Sequence, residues 1–564
     1  MNTPDIKVGK TTIGNVVDIL AENFGDNIGL EYHTLGIRQN FRQLRETFDN
    51  VAKGFMALGL KQDDKIAIWA NNLPEWVYTQ FGSARMGAVL VTVNTNYRSS
   101  ELDFLLKQSD ATTLILTGGV REPDEYIKVL NAVCPTLKNC EPGKLNCENL
   151  PFMKNIIYLG KEKIAGMYNW DDVLELGARV SDQDLKTRLD SLDPDDVINM
   201  QYTSGTTGTP KGVMLSHTNL IGNALSMAEC MNLTPDDAMC IPVPFFHCFG
   251  CVIGTLCCMV SGTTMAPVVS FFPVNVLKTV EASQCTALLG VPTMFIAEFE
   301  EMDKNNYDTS SLRTGVMAGS TCPVEVMKRV INDMGANEMT IVYGQTEASP
   351  GITQTRVHDS FELKTTTVGR ALPNVEVKIT DVLTDREMPI GKQGELCTRG
   401  YHVMKGYYKL PEATAMAISA DKWLHTGDIA VMDKDGYCKI TGRIKDMIIR
   451  GGENISPREI EEFLYSNPKV KDVAVVGVDS EKYGEEVAAF VQLKTDQEAT
   501  DIEFASFCKD RISYHKIPKY FFYVNEFPAT ASGKIQKFKL REMANNLIAQ
   551  MSSSSSNTNT ATAA

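Results

Sequence analysis

Between Ala238 and Leu277 the chain carries no Asp, Glu, Lys or Arg, a run of 40 residues. So long an uncharged run does not belong on a water-facing surface, and it constrains the fold more than any other segment. Length alone would let it span a membrane as a helix. Pro242, Pro244, Gly250, Gly254, Gly262, Pro267 and Pro273 interrupt it, however. A lipid-exposed helix tolerates such breaks badly, because the freed backbone groups find no partners in hydrocarbon. The run therefore reads as a buried strand, turn and helix inside a large core, with no transmembrane segment. It would also make a good wall for an apolar pocket. The chain is long enough for such a core: its 564 residues correspond to about three to five structural units.

The flanking sequence alternates strands and helices. Residues 13–60 read as helical. Lys65–Trp69, helix 74–86 and Ala88–Val93 form a strand–helix–strand unit of a parallel sheet, and helix 100–108 with strands 113–116 and 156–158 extends it. Val197–Tyr202, Thr286–Leu289 and Thr340–Val342 read as further strands, with a helix over 217–230. From 375 to 441 short strands and turns mark a small β-rich unit. Beyond it, helices 457–466 and 501–513 with strands 473–478 and 487–493 make a compact α+β unit. The expected domains are 1–441, 442–546 and a disordered Ser/Thr/Asn/Ala tail over 547–564 with nothing to bury.

Charge and cysteine usage narrow the function. With 55 Lys+Arg against 70 Asp+Glu, the formal net charge is −15, which disfavours nucleic acid as a partner. The 14 cysteines are scattered, and Cys134, Cys140 and Cys147 are too widely spaced for a zinc knuckle. Many unpatterned thiols suit a reducing compartment, and residues 1–10 show no apolar export segment. The expectation is a cytoplasmic protein; its oligomeric state is not legible.

The chemistry begins where strand 197–202 runs into Thr203, Ser204, Gly205, Thr206, Thr207, Gly208, Thr209, Pro210, Lys211 and Gly212. The glycines let backbone N–H groups turn inward, five hydroxyls add donors and Lys211 adds a point charge, together a cradle for phosphate oxygens. The glycine spacing, and Pro210 before Lys211, exclude a Walker loop. Flanking Tyr202 and Thr206 exclude a nucleophile elbow around Ser204. Further along, YGQTE at 343–347 supplies Glu347 as a hard oxygen ligand suited to Mg²⁺ held with phosphates. Thr346 is a donor there and Tyr343 an aromatic face. HTGD at 425–428 ends on Asp428; by itself a Gly-Asp pair is more often just a turn, although a carboxylate can accept from two ribose hydroxyls.

YTSGTTGTPKG at 202–212 resembles the phosphate loop of the adenylate-forming (AMP-binding) enzymes, and other motifs follow in that family's order. They are PFFHCFG at 244–250, AGSTCP at 318–323, YGQTE, HTGD, GRIKDMIIRGGENISPREIE at 442–461 and PATASGKIQK at 528–537. The resemblance covers about residues 12–545, and its wording is most similar to medium-chain acyl-CoA synthetases. It implies a large domain of two doubly-wound-like α/β sheets plus a small β-barrel-like unit, and a small mobile α+β domain. The implied reaction is ATP-dependent ligation of a fatty acid to CoA through acyl-AMP, with Mg²⁺. The alternatives are an acyl-AMP ligase loading a carrier protein, a luciferase-like oxygenase, and a noncatalytic nucleotide- or acyl-binding relative.

Residue by residue, the resemblance implies that Lys534 catalyses adenylation beside Thr346, Glu347 and His247. ATP would meet residues 203–211, Gly319, Ser320, Tyr343, Gly344, Gln345, Thr346, Asp428, Arg443 and Lys534. His247, Cys248, Phe249, Gly250 and Cys251 would line the acyl pocket, with Thr293 and Phe295 opposite. Lys445 would be the hinge between domains, and Gly451 and Gly452 would wall the CoA tunnel. No Arg, Lys or Asp in the pocket segments would hold an amino group or second carboxylate, so a plain acyl chain is expected.

Overall fold

The computed structural model describes residues 4–203, 210–320, 322–451, 453–509, 511–529 and 535–558. The chain separates into two compact units, Met1–Val377 with Thr398–His425, and Lys378–Cys397 with Thr426–Ala564.

Two sheets organise the first unit. One runs Gly406–Tyr407, Lys211–Ser216, Val197–Thr203, Val89–Thr92, Lys65–Trp69, Ala111–Leu116, Asn155–Tyr158, Tyr168–Asn169. Its strands are parallel from Val197–Thr203 onward, and Lys211–Ser216 and Gly406–Tyr407 close the edge antiparallel. The other runs Arg370–Ala371, Gly351–Gln354, Glu338–Gly344, Thr314–Met317, Ala287–Gly290, Ala238–Ile241, Thr264–Pro267, Ile28–Tyr32, Ile37–Asn40.

Side-chain alternation along these strands builds the layers. Ile66 and Ile68 enter a core shared with Leu289 and Val316 of the other sheet, whereas Ala67 and Trp69 face a second core with Leu102 and Leu105. Likewise Met239 and Ile241 face the shared core, and Cys240 faces a third with Leu277 and Phe299. Helices Phe41–Ala57, Pro74–Met86 and His217–Cys230 fill the space between the sheets. Each sheet is thus covered on both faces, as the doubly wound reading requires.

The uncharged run is inside this unit. It forms strand Ala238–Ile241, a π-helix over Phe249–Leu256, helix Cys257–Ser261 and strand Thr264–Pro267, and every residue from 249 to 261 is buried. Among the described residues no helix is long and apolar enough to cross a membrane.

Several expectations need correction. Residues 13–60 are not one helical stretch: strands Ile28–Tyr32 and Ile37–Asn40 separate helices Ile13–Asn23 and Phe41–Ala57. Ile28–Tyr32 is short, and its pairing with Thr264–Pro267 is non-local. A strand, Lys211–Ser216, stands between the Gly/Thr loop and the following helix. The helix expected over 501–513 stops at Cys508.

The β-rich segment is a four-stranded sheet, in the order Val375–Thr380, Gln393–Gly400, Leu424–Met432, Cys438–Arg443. The α+β part of the second unit pairs Val470–Ser480 with Gly484–Leu493. One face packs Ile460 and Leu464 of helix Pro457–Tyr465, and the other packs Leu540 and Ala544 of helix Lys537–Thr558. That last helix continues through part of the segment whose composition reads as a tail. Once the buried turn at Leu540 and Ala544 nucleates it, propagation costs little.

Candidate active site

Strands Ala238–Ile241, Ala287–Gly290, Thr314–Met317 and Glu338–Gly344 are parallel neighbours. Their carboxyl ends lie at one sheet edge, where open α/β sheets bind ligands. The PFFHC, VPT, AGS and YGQTE segments all leave from that edge. Gly319 and Ser320 are exposed there, and Tyr343 is half-buried. Gly344 has a steric role: a Cβ would sit 1.9 Å from the Pro350 carbonyl oxygen. That close approach lets the Gln345 N–H donate to the same oxygen at 2.9 Å. Thr346 is buried in the turn that follows, and Glu347 is half-buried.

Two bonds hold Glu347. Its backbone carbonyl accepts from the Met404 N–H at 2.9 Å, and its Oε1 accepts from the Tyr407 hydroxyl at 2.8 Å. Burial first, and then the Glu347 charge, push the Tyr407 phenol well above its ordinary pKa, so it stays a donor. Tyr407 is paired with the strand leaving the phosphate loop, opposite Val213. Thr203 and Lys211 face each other across the loop's base, and the Lys211 ammonium lies 4.9 Å from the Tyr407 ring centroid, a cation–π distance. Pro210 lies at this base; Ser204, Gly205, Thr206, Thr207, Gly208 and Thr209 lie outside the described residues.

The expected acyl wall divides. His247 is exposed; its Nδ1 accepts from the Phe249 N–H at 3.2 Å, and its carbonyl accepts from Gly250 and Cys251. Cys248, Phe249, Gly250 and Cys251 are buried at the start of the π-helix. The Cys248 thiol donates to Gln201 Oε1 and Gln201 Nε2 donates to the Cys251 sulfur, each at 3.0 Å. Burial pushes the Cys251 thiol up to about 12 and Cys248 well above its usual value, with the Cys251 and Glu347 charges adding to the latter. These are packed thiols, poor in the thiolate that a nucleophile needs. Gln80 secures the same helix, donating to the Cys251 carbonyl and accepting from Thr255, each at 2.8 Å.

Thr293 and Phe295 do not form one opposing wall. They lie two residues apart on helix Pro292–Met302, about 200° around its axis. Thr293 is exposed, while Phe295 is buried in the core on the far face of its sheet from Cys248 and Cys251.

In the second unit, Asp428 and Arg443 face each other on paired strands, with Arg443 Nε 2.7 Å from Asp428 Oδ1. Asp428 is 2% exposed. Its N–H donates to Thr426 Oγ1 at 3.1 Å, and the Gly427 N–H donates to Glu395 at 2.9 Å. Lys445 is exposed in a single 3₁₀ turn between strands Cys438–Arg443 and Ile448–Arg450. Gly451 is exposed at the hairpin turn that follows. Gly452 and Lys534 lie outside the described residues.

Gln201, Gln80 and Tyr407 are the residues the sequence reading missed. Gln201 left a signal: Asn199 and Gln201 alternate with Ile198 and Met200, and all four are buried. Amide side chains at every second position of a buried strand must find hydrogen-bond partners inside.

Comparison with known proteins shows the family. The family model of the AMP-binding enzymes matches residues 19–408, and that of the AMP-binding enzyme C-terminal domain matches 459–534. The chain belongs to the AMP-binding enzymes. Within them it stands on the acyl-CoA synthetase branch, and it is an AMP-forming acid–thiol ligase. It is 56% identical to a putative acyl-CoA synthetase, YngI, of Bacillus subtilis (strain 168), over 94% of this chain and 97% of that one. It is 39% identical to the mitochondrial medium-chain acyl-CoA ligase ACSF2 of Mus musculus, over 95% of this chain and 88% of that one. Among solved structures, ATP-bound MatB from Rhodopseudomonas palustris superposes with a TM-score of 0.81 at 25% identity, covering 95% of this chain and 100% of that one.

Proposed function

We propose that this AMP-binding enzyme activates a medium-chain fatty acid and transfers it to coenzyme A. The fatty-acid carboxylate attacks the α-phosphorus of ATP, giving acyl-AMP and pyrophosphate. The CoA thiol then attacks the acyl carbonyl and AMP leaves. The observation that carries the reading is that Lys211 and Glu347 both contact Tyr407, which supports a site offering a cation to phosphate and a hard carboxylate to a metal ion. Glu347 fits Mg²⁺ by ligand type; the ion would neutralise charge on the polyphosphate.

The remaining roles follow the family motifs. Residues 203–211, Gly319, Ser320, Tyr343, Gly344, Gln345 and Thr346 take the nucleotide, Asp428 takes the ribose hydroxyls and Arg443 a ribose or phosphate oxygen. Lys534 stabilises charge on the pentavalent phosphorus, the kind of work that dominates phosphoryl-type transfer. His247 borders the acyl carboxylate, and Gly451 and Gly452 approach the CoA arm. A moving domain starts near 442 and turns at Lys445. An uncharged acyl chain is supported by the absence of Arg, Lys and Asp from 244–251, and a medium chain by the ACSF2 relatives. All 14 cysteines are free thiols, which supports the cytoplasm as compartment.

The test is turnover across straight-chain acids of about two to sixteen carbons, each with and without CoA, a span over which an apolar pocket of limited volume discriminates chain length. A mid-length optimum that needs CoA supports the reading. A single CoA-independent burst of pyrophosphate supports carrier loading instead.

A further inference from the structure

We propose that Tyr407 is a positioning residue for the nucleotide half-reaction. Its hydroxyl aims the Glu347 carboxylate at the divalent cation accompanying ATP, and its ring holds the Lys211 ammonium at the mouth of the phosphate loop. The inference rests on the adenylation reading above and adds a residue that none of the sequence motifs contains.

Tyr407 has little freedom. It is 8% exposed and lies opposite Val213, with Gly406 opposite Met214. Its N–H donates to Thr414 Oγ1 at 2.9 Å, and the next residue, Tyr408, donates its N–H to the Gly212 carbonyl at 2.8 Å. The backbone on both sides of the ring is therefore tied to the strand that leaves the loop or to its own following helix. A ring so fixed can transmit position.

What it positions is chemically specific. An ionised carboxylate only accepts hydrogen bonds, so the phenol must be the donor in its 2.8 Å bond to Glu347 Oε1. With the Met404 N–H on the Glu347 carbonyl, one short segment, 404–407, grips both the backbone and the side chain of Glu347. A donor on one oxygen restricts rotation of the carboxylate and directs its other oxygen, as outer partners of metal ligands do. Lys211, 4.9 Å from the ring centroid, gains a cation–π contact that polyphosphate can displace, since the attraction of an ammonium for phosphate is the stronger of the two. A tyrosine kept only for packing would need a partner for its hydroxyl but not this one. Here the partner is the carboxylate of the YGQTE motif.

The experiment uses the full chain as wild type, Tyr407→Phe, Tyr407→Leu, Glu347→Gln and the Tyr407→Phe/Glu347→Gln double variant. Mn²⁺ binding in the presence of ATP is followed by electron paramagnetic resonance, and acid-dependent ATP–pyrophosphate exchange is followed against free Mg²⁺. Tyr407→Phe is expected to weaken Mn²⁺ binding about tenfold, the scale for losing an outer partner of a metal ligand. It should raise the Mg²⁺ needed for half-maximal exchange similarly and leave the KM for the acid unchanged. Tyr407→Leu should also raise the KM for ATP. The double variant should bind Mn²⁺ no worse than Glu347→Gln. Wild-type Mn²⁺ affinity in folded Tyr407→Phe, or equal losses in acid KM and Mg²⁺ dependence, would overturn the proposal while leaving adenylation standing. Failure of the wild type to bind Mn²⁺ with ATP would overturn the adenylation reading itself.

Discussion

Asp428 and Arg443 show what a single pair adds to a motif. The sequence offers each as a candidate nucleotide contact, Asp428 through the HTGD motif and Arg443 through the resemblance to the family. Their pairing was not legible, because only the register of two strands brings them opposite each other. Asp428 is buried, while the Arg443 side chain is about a third exposed. Removing the guanidinium takes a charge-assisted hydrogen bond from a carboxylate with little access to water, worth about 1.5–3 kcal/mol. Arg443→Met is expected to raise the KM for ATP about tenfold or more and to lower the melting temperature. An unchanged KM in ATP–pyrophosphate exchange would show that Arg443 serves the fold alone.

At the scale of elements, short apolar runs bounded by turn residues mark most strands in the amino-acid sequence, because both large sheets are buried on both faces. The π-helix over Phe249–Leu256 escaped for a physical reason. It is apolar all round, so no periodicity distinguishes it from a strand or an α-helix. Its start depends on close backbone packing: a Cβ on Gly250 would lie 2.3 Å from the Pro244 carbonyl oxygen and 2.8 Å from the Phe245 Cα. Neither atom belongs to a flexible side chain. Gly250→Ala is therefore expected to cost about 1–3 kcal/mol, the scale of overpacking, and to disturb the Gln201 bridge between Cys248 and Cys251. Thermal unfolding checks the first effect and the KM for the acid checks the second. The strand Lys211–Ser216 was missed because its partners, Val197–Thr203 and Gly406–Tyr407, include one nearly 200 residues away, and that same pairing hid Tyr407.

Over the whole molecule, a few buried titratable groups set the pH range of stability. His217 is fully buried, its Nδ1 accepting from the Ile13 N–H at 3.0 Å. Burial lowers its pKa to about 3, and that of His402 likewise to about 3. Both stay neutral in the folded chain, whereas an unfolded histidine takes a proton near pH 6.5. The unfolded state thus binds more protons between those values. Stability should fall as pH drops below about 6.5, by up to about 1.4 kcal/mol per pH unit for each histidine, levelling off near pH 3. Glu298 acts in the opposite direction. It is fully buried, its carboxylate oxygens have no hydrogen-bond partner among the described residues, and burial raises its pKa well above the usual range. The folded chain keeps this proton while the unfolded chain releases it above about pH 4.5, so Glu298 costs stability as pH rises. Glu298→Gln should melt higher than wild type at pH 8 and lose that advantage at pH 4. His217→Gln should flatten the decline between pH 7 and pH 5. Parallel melting curves for wild type and variants at all pH values would contradict the assignment. These groups were invisible in the sequence, where nothing separates a buried Glu298 from the exposed Glu300 on the same helix.

The central claim is that the chain forms an acyl-adenylate from ATP and a fatty acid before CoA takes part. The most direct measurement is exchange of labelled pyrophosphate into ATP with Mg²⁺ and an acid but no CoA. The account predicts exchange that requires the acid, is greatest for a mid-length chain and falls at least about a hundredfold in Lys534→Ala, the scale for losing one preorganised charge-stabilising group. Exchange independent of acid, or none with any acid of two to sixteen carbons, would contradict it.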